Sequence, residues 1–292
     1  MKLAFIGLGI MGRPMALHLL RGGHAMRVYA RRPEALAPLV DAGAVACRSP
    51  AEAARGADVT FTIVSDTPDV EQVVLGKDGV IEGAHAGAAV VDMSTISPVA
   101  TRAIAAKLSQ KGIEMLDAPV SGGDVGAINA ALSIMVGGKH EVFERVRPLF
   151  ELMGRNIVYI GTNGAGQAAK TCNQIVGAVT VEAVAEGLTL ARKNGVDPAK
   201  VREALLGGFA HSRVLELYGA RMISRDFKPG FKAKLHQKDL RLAVEAAAQL
   251  NLGLPQTALI AQHLNALVGM GHGEEDSAQV VKVLESLSGL RV

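Results

Sequence analysis

Cysteine is scarce. The 292-residue chain has two, Cys47 and Cys172, too few for a disulfide framework and in keeping with a reducing compartment. An excess of one charge is missing as well. The formal net charge is +3 and no basic run exceeds the pair Arg31–Arg32, so nothing marks a nucleic-acid surface. The eight histidines show no ligand spacing such as H-x-x-x-H, and no metal site is expected. No stretch of membrane-span length is free of charge. The apolar start, MKLAFIGLGIMGRPMALHLL, begins like a secretory signal, but Gly7, Gly9 and Gly12 interrupt it, Arg13-Pro14 splits it, and no small-residue cleavage site follows. These absences lead us to expect a soluble cytoplasmic protein without nucleic-acid or membrane partners.

What is present is a packed globular composition, 49% hydrophobic and 20% charged, in a chain long enough for two domains. Over the first 160 residues, short apolar runs alternate with helical patterns. LAFI (3–6), MRVY (26–29), VTFTIV (59–64), AVVDM (89–93), IEML (113–116), LSIMV (132–136) and IVYI (157–160) read as strands. Such alternation predicts a mostly parallel sheet with helices on both faces. From about residue 164 the strands stop. Residues 164–194 predict one helix of roughly 30 residues, about 45 Å long, ended by Asn194-Gly195 and followed by Asp197-Pro198 as N-cap and first helical position. Further helices are predicted near 212–224, 233–250, 255–270 and 276–287. The expected fold is an α/β Rossmann-like N-terminal domain (1–162), a long connecting helix (163–194) and an all-α C-terminal domain (195–292).

The first strand runs into GLGIMG, which places Gly7, Gly9 and Gly12 in G-x-G-x-x-G spacing ahead of a helix near 13–21. The pattern alone is weak. After a buried strand and before a helix, each glycine gains a reason: a tight turn, close approach to a pyrophosphate, and close helix–sheet packing. The helix start offers free N–H groups to phosphate. Gly7, Leu8, Gly9, Ile10, Met11 and Gly12 are therefore candidate cofactor contacts. The second strand ends VYARRP, with Ala30 where an acid would bind the adenosine ribose and favour NAD. Without that carboxylate, Arg31 and Arg32 can grip a 2′-phosphate. NADP(H) is favoured, with NAD(H) possible; the plainer alternative is two solvated arginines at a strand end.

Lys170 is the one cation in GAGQAAKTCNQIVGA (164–178). At about 100° per residue, its stripe continues through Asn173, Gln174, Gly177, Val181, Val184 and Leu188, becoming apolar within two turns. The water-facing side is predicted to hold Thr171, Glu182, Glu186, Thr189 and Lys193. A cation at the edge of a buried seam, with an amide one turn on, is a candidate for chemistry rather than solubility. In DAPVSGG (117–123), Ser121, Gly122 and Gly123 form a turn whose open backbone N–H groups and one hydroxyl could receive a carboxylate.

FIGLGIMGRPMA (5–16), DMSTISP (92–98), DAPVSGG (117–123), GAGQAAKTCNQ (164–174) and FKPGFKAKLHQKDL (227–240) together make the chain resemble the β-hydroxyacid dehydrogenases over nearly its whole length. The last stretch is most similar to the branch acting on tartronate semialdehyde. The resemblance implies that Lys170 is the catalytic lysine, assisted by Asn173, with Gln174 the alternative. It implies that Ser121, Gly122 and Gly123 hold the substrate carboxylate and that Thr95 lies beside nicotinamide and substrate. Val64 and Ser65 fall on a cofactor-contacting loop where many members have Leu-Pro. Lys238 matches a lysine that reaches the cofactor, and Phe231 and Asp239 match substrate-site residues.

The implied reaction is hydride transfer from NAD(P)H to a small semialdehyde acid, tartronate semialdehyde giving glycerate, with Lys170 as general acid and electrostatic stabiliser. The alternative is a 3-hydroxyisobutyrate dehydrogenase or a glyoxylate/succinic semialdehyde reductase. Imine reductases share the scaffold but usually replace the lysine, and a non-catalytic role fits poorly with a retained Lys170 and DAPVSGG. The long helix is apolar on more than one face between 175 and 191, which predicts burial against another subunit in a homodimer or homotetramer.

Overall fold

A computed structural model of the chain describes residues 1–290. The chain divides into two compact units, Met1–Lys170 and the stretch from Thr171 onward. The first unit runs β1 (Lys2–Ile6), α1 (Gly12–Arg21), β2 (Ala25–Tyr29), α2 (Ala37–Asp41), β3 (Val45–Ala46), α3 (Pro50–Ala54), β4 (Val59–Thr62), α4 (Thr67–Leu75), α5 (Val80–Gly83), β5 (Ala89–Asp92), α6 (Pro98–Ser109), β6 (Glu114–Asp117), β7 (Val120–Ser121), α7 (Gly123–Ile128), β8 (Leu132–Gly138), α8 (His140–Phe150) and β9 (Gly154–Gly161). Among the described residues, nine strands form one sheet in the order β3-β2-β1-β4-β5-β6-β8-β7, with β9 paired to β8.

β1 to β6 run parallel. The order therefore reverses between β1 and β4, the crevice where doubly wound sheets bind ligands beyond their strand C-termini. β4 (VTFT) and β5 (AVVD) are buried at every position, because helices cover both faces of the sheet; neither strand therefore has a water-facing side. β8 turns the direction, pairing antiparallel with both β6 and β7. Asp and Ser residues start the helices that follow the strand ends: Asp66 caps α4 through the Thr67 N–H, and Ser97 caps α6 through the Ala100 N–H.

α9 (Ala165–Lys193) crosses the division between the units. It ends as its sequence dictates: Gly195 takes φ +70°, and the N–H groups of Gly195 and Val196 return to Arg192 and Ala191. Asp197 then caps α10 (Pro198–Leu206). α11 (Arg213–Ser224), α12 (Ala233–Gln249), α13 (Pro255–Leu267) and α14 (Val280–Leu287) complete the helical unit. α13 stops three residues before the predicted end, where a wider turn leads to Gly271 at φ +91°.

By length and composition alone α9 could cross a membrane, and 44% of its apolar window is buried within the chain. Ala178, Val181, Ala185 and Leu188, at helical spacing, pack with Leu240, Ile260, Leu264 and Leu284, which makes it the central helix of this unit's core. The helical-wheel expectation needs one correction. Glu186 and Lys193 face water, but Glu182 and Thr189 are buried. Glu182 is held by His263 of α13 at 2.5 Å, a partner that no single-helix pattern displays.

Candidate active site

β1 ends directly in the glycine loop. Gly7 sits at φ +98°, and a Cβ there would lie 2.1 Å from the Ile63 carbonyl oxygen. At Gly12, a Cβ would lie 1.9 Å from the Gly7 carbonyl oxygen. Neither position can hold a side chain without moving backbone. Gly9 differs: nothing lies within 4 Å of a Cβ built there. The first and third glycines thus serve the fold, and the second leaves open space at the start of α1. That helix has no side-chain cap and no acid in its first turn, which suits an approaching phosphate. The open space at Gly9 and the uncapped helix start are what a dinucleotide pyrophosphate needs; of the other loop residues, Ile10 is exposed and Leu8 is buried.

At the end of β2, the arginine side chains are largely exposed. Arg31 meets Asp69 of α4 at 3.2 Å, and Arg32 lies 3.9 Å from Glu34. Pairs this exposed contribute at most about 1 kcal/mol and give way readily to a phosphate.

The ends of β4 and β5 are laced together. Asp92 Oδ1 accepts from Thr62 Oγ1 and from Ser94 Oγ, both at 2.7 Å. Ser94 Oγ in turn accepts the Val64 N–H at 2.9 Å. Val64 and Ser65 are thereby fixed beside the switch point, Ser65 exposed and Thr95 half-buried next to Ser94.

β6 ends in Asp117, fully buried, which receives the start of α9. Asp117 Oδ1 accepts the Gly164 N–H at 2.8 Å and Oδ2 accepts the Gln167 N–H at 3.0 Å. Gln167, also fully buried, donates from Nε2 to the Ser94 carbonyl at 2.8 Å, and its Oε1 accepts the Ile96 N–H at 3.1 Å. Burial pushes the Asp117 carboxyl up to about 6, against the opposing effect of these N–H groups, with a smaller contribution from Asp92. Lys170 follows one turn later and is 7% exposed.

The same strand end leads into Ser121, Gly122 and Gly123. Ser121 pairs with Ser133 of β8 and is half-buried. Gly122 and Gly123 take φ +135° and +63° and are exposed, a conformation in which L side chains are strained. In the helical unit, Asn173 Nδ2 donates to Gln174 Oε1 at 2.8 Å, and Gln174 Nε2 donates to Asp239 Oδ2 at 2.6 Å. Lys238 pairs with Asp239 at 2.8 Å. Gln174 is buried and Asn173 half-buried. The Phe231 ring lies 5.1 Å from the His236 ring, and its N–H donates to the buried Asp276.

The two halves of the chain match two family models. Residues 2–161 match the NAD binding domain of 6-phosphogluconate dehydrogenase, and residues 164–284 match the NAD-binding domain of NADP-dependent 3-hydroxyisobutyrate dehydrogenase. The chain is 49% identical over 288 residues to the 2-hydroxy-3-oxopropionate reductase of Escherichia coli (strain K12), covering 99% of this chain and 98% of that protein. It belongs to the β-hydroxyacid dehydrogenase family. Among solved structures, Mycobacterium tuberculosis 3-hydroxyisobutyrate dehydrogenase with L-serine superposes on this dehydrogenase with a TM-score of 0.88 at 34% identity, covering 97% and 98% of the two chains. Psf3 in complex with NADP+ and 2-OPP gives 0.89 at 26%, covering 97% and 99%. The enzyme is thus an NAD(P)-dependent β-hydroxyacid dehydrogenase.

Asp92, Asp117 and Gln167 are not among the residues expected from the sequence to serve the site, although DMSTISP, DAPVSGG and GAGQAAKTCNQ contain them. A usable signal existed. Asp92 lies inside the strand-like run AVVDM, Asp117 follows directly on IEML, and Gln167 lies one turn before Lys170 on the same helical stripe.

Proposed function

We propose that this dehydrogenase reduces tartronate semialdehyde to glycerate with NADPH. The observation that carries the reading is Lys170, a buried amine on the first turns of α9, which dock on the strand ends carrying Thr95 and the Ser121–Gly123 turn. The bound cofactor supplies hydride to the aldehyde carbon. The Ser121 hydroxyl and the open N–H groups of Gly122 and Gly123 hold the substrate carboxylate, which aims the carbonyl. Such positioning lowers the barrier by several kcal/mol, on the order of what effective-molarity measurements give. The Lys170 ammonium stabilises the developing alkoxide and then delivers its proton. From the family resemblance we assign Asn173 to assist that exchange, Phe231 and Asp239 to the substrate, and Lys238 to the cofactor.

NADP(H) is favoured because Ala30, the residue directly after β2, brings no carboxylate to repel a 2′-phosphate, and because Arg31 and Arg32 are weakly engaged. The identity with the Escherichia coli 2-hydroxy-3-oxopropionate reductase supports the substrate. In this reading the enzyme works in the cytoplasm. The experiment is a panel of tartronate semialdehyde, methylmalonate semialdehyde, glyoxylate and succinic semialdehyde with each cofactor, followed at 340 nm. The highest kcat/KM is expected for tartronate semialdehyde with NADPH. A preference of tenfold or more for methylmalonate semialdehyde would instead indicate a 3-hydroxyisobutyrate dehydrogenase.

A further inference from the structure

The glycines of GAGQ and the two polar groups around them have no role in the scheme above, yet they occupy the most constrained part of the first unit. A Cβ on Gly166 would lie 2.5 Å from the carbonyl oxygens of both Asp117 and Met135. A Cβ on Gly137 of β8 would lie 2.8 Å from both Asp117 carboxylate oxygens. Gly164 takes φ +90°, with Arg102 Nη1 2.8 Å from where its Cβ would be. Three backbones have been brought against one carboxyl group. That group accepts the N–H groups at the start of α9, and Gln167 ties the same turn to the loop after β5 through two more hydrogen bonds.

We infer that Asp117, with Gln167, is a positioning residue for the reaction: it fixes the axial height and rotation of the first turn of α9 and thereby the placement of the Lys170 ammonium. Lys170 lies three residues beyond Gln167, about 4.5 Å along the axis. A helix start is an anion-seeking end, and here the anion is built in. Four hydrogen bonds from two strand ends leave that turn little freedom to slide or rotate. Placement at this tolerance matters, because a shift of about 1 Å at a catalytic group costs on the order of 10²-fold in rate. The inference rests on the assignment of Lys170 as proton donor.

Protonating Asp117 converts one acceptor oxygen into a hydroxyl and weakens the hold on Gly164 or Gln167. The groups facing the carboxyl are Asp92 at the end of β5, the N–H groups of α9, uncharged Gly137 of β8, and, beside Gly164, Arg102 of α6. Loss of the proton is opposed by burial first and Asp92 second, which places the change near pH 6.

The test is a double-mutant cycle of Asp117→Asn with Lys170→Ala, with steady-state kinetics and NADPH titration on each protein. Asp117→Asn is expected to lower kcat 10- to 100-fold with KM and the NADPH Kd within threefold. In the Lys170→Ala background it should cost less than twofold further. The wild-type kcat should fall below about pH 6, and this limb should be absent from Asp117→Asn. Gln167→Met, of similar shape without hydrogen bonds, should show the same split between kcat and KM if Asp117→Asn does not fold. Equal losses in both backgrounds, or a kcat within twofold of wild type, overturn the inference while leaving Lys170 in place. Near-normal turnover of Lys170→Ala alone overturns the proton-donor assignment and the inference with it.

Discussion

The three glycines of the phosphate loop separate folding from binding one residue at a time. Gly12→Ala drives a methyl into the Gly7 carbonyl, so it should destabilise the protein and weaken cofactor binding together. Gly9→Ala meets no protein atom within 4 Å. It should leave the melting temperature within about 2 °C and raise the NADPH Kd tenfold or more, because the methyl occupies the space through which the backbone approaches pyrophosphate. Thermal melts with fluorescence titration check both, and unchanged affinity in Gly9→Ala would contradict the cradle. Asp117 also has a pH signature in stability. Its folded pKa, about 6, lies above its ordinary value of 3.8, so the fold holds this proton more tightly than the unfolded chain. The contribution is most favourable in acid, is lost as pH rises towards 6, and stays lost above it, by roughly 3 kcal/mol for a shift of this size. In urea melts, wild type should gain on Asp117→Asn as pH falls from 7 to 5; a constant difference would contradict the assignment.

α9 shows what one element's pattern reveals and what it hides. The buried stripe through Gln174, Val181 and Leu188 was legible, because 3.6-residue periodicity reports the face a helix buries. Glu182 and Thr189 were misplaced, because a second packed helix buries a second flank and single-helix periodicity does not register it. His263→Ala should therefore cost on the order of 3 kcal/mol by stranding the buried Glu182. Burial raises the Glu182 carboxyl pKa and the His263 contact opposes that rise. The cost of the variant should accordingly be largest at neutral pH and shrink in acid as the carboxyl takes up its proton. A pH-independent cost in chemical denaturation would contradict the pairing. Strands show the same division. β1, β4 and β5 were legible as apolar runs between helices. β3 and β7 were not, because two residues each carry no periodicity. The reversal at β8 was also hidden, since LSIMV reads the same in either direction. At the site, the glycine loop, Lys170 and the Ser-Gly-Gly turn were visible as motifs. The carboxylate that seats α9 was not, because its partners are backbone N–H groups 47 and 50 residues away.

The chain carries a Rossmann unit that matches NAD-binding domains and a helical unit that we assign to substrate selection and subunit association. On α9, Val176 and Leu190 are 66% and 64% exposed. We expect these side chains to be covered by a second copy of the chain. Light scattering should give a dimer or tetramer, and a monomer at micromolar concentration would contradict this. The proposed reaction turns on one buried ammonium, that of Lys170, delivering the proton. The direct measurement is turnover of Lys170→Ala with tartronate semialdehyde and NADPH, alongside the NADPH Kd of the same protein. If Lys170 is the proton donor, the Kd stays within threefold of wild type and turnover falls by about 10²-fold or more, the scale of general acid catalysis; turnover within a few-fold of wild type would contradict that role.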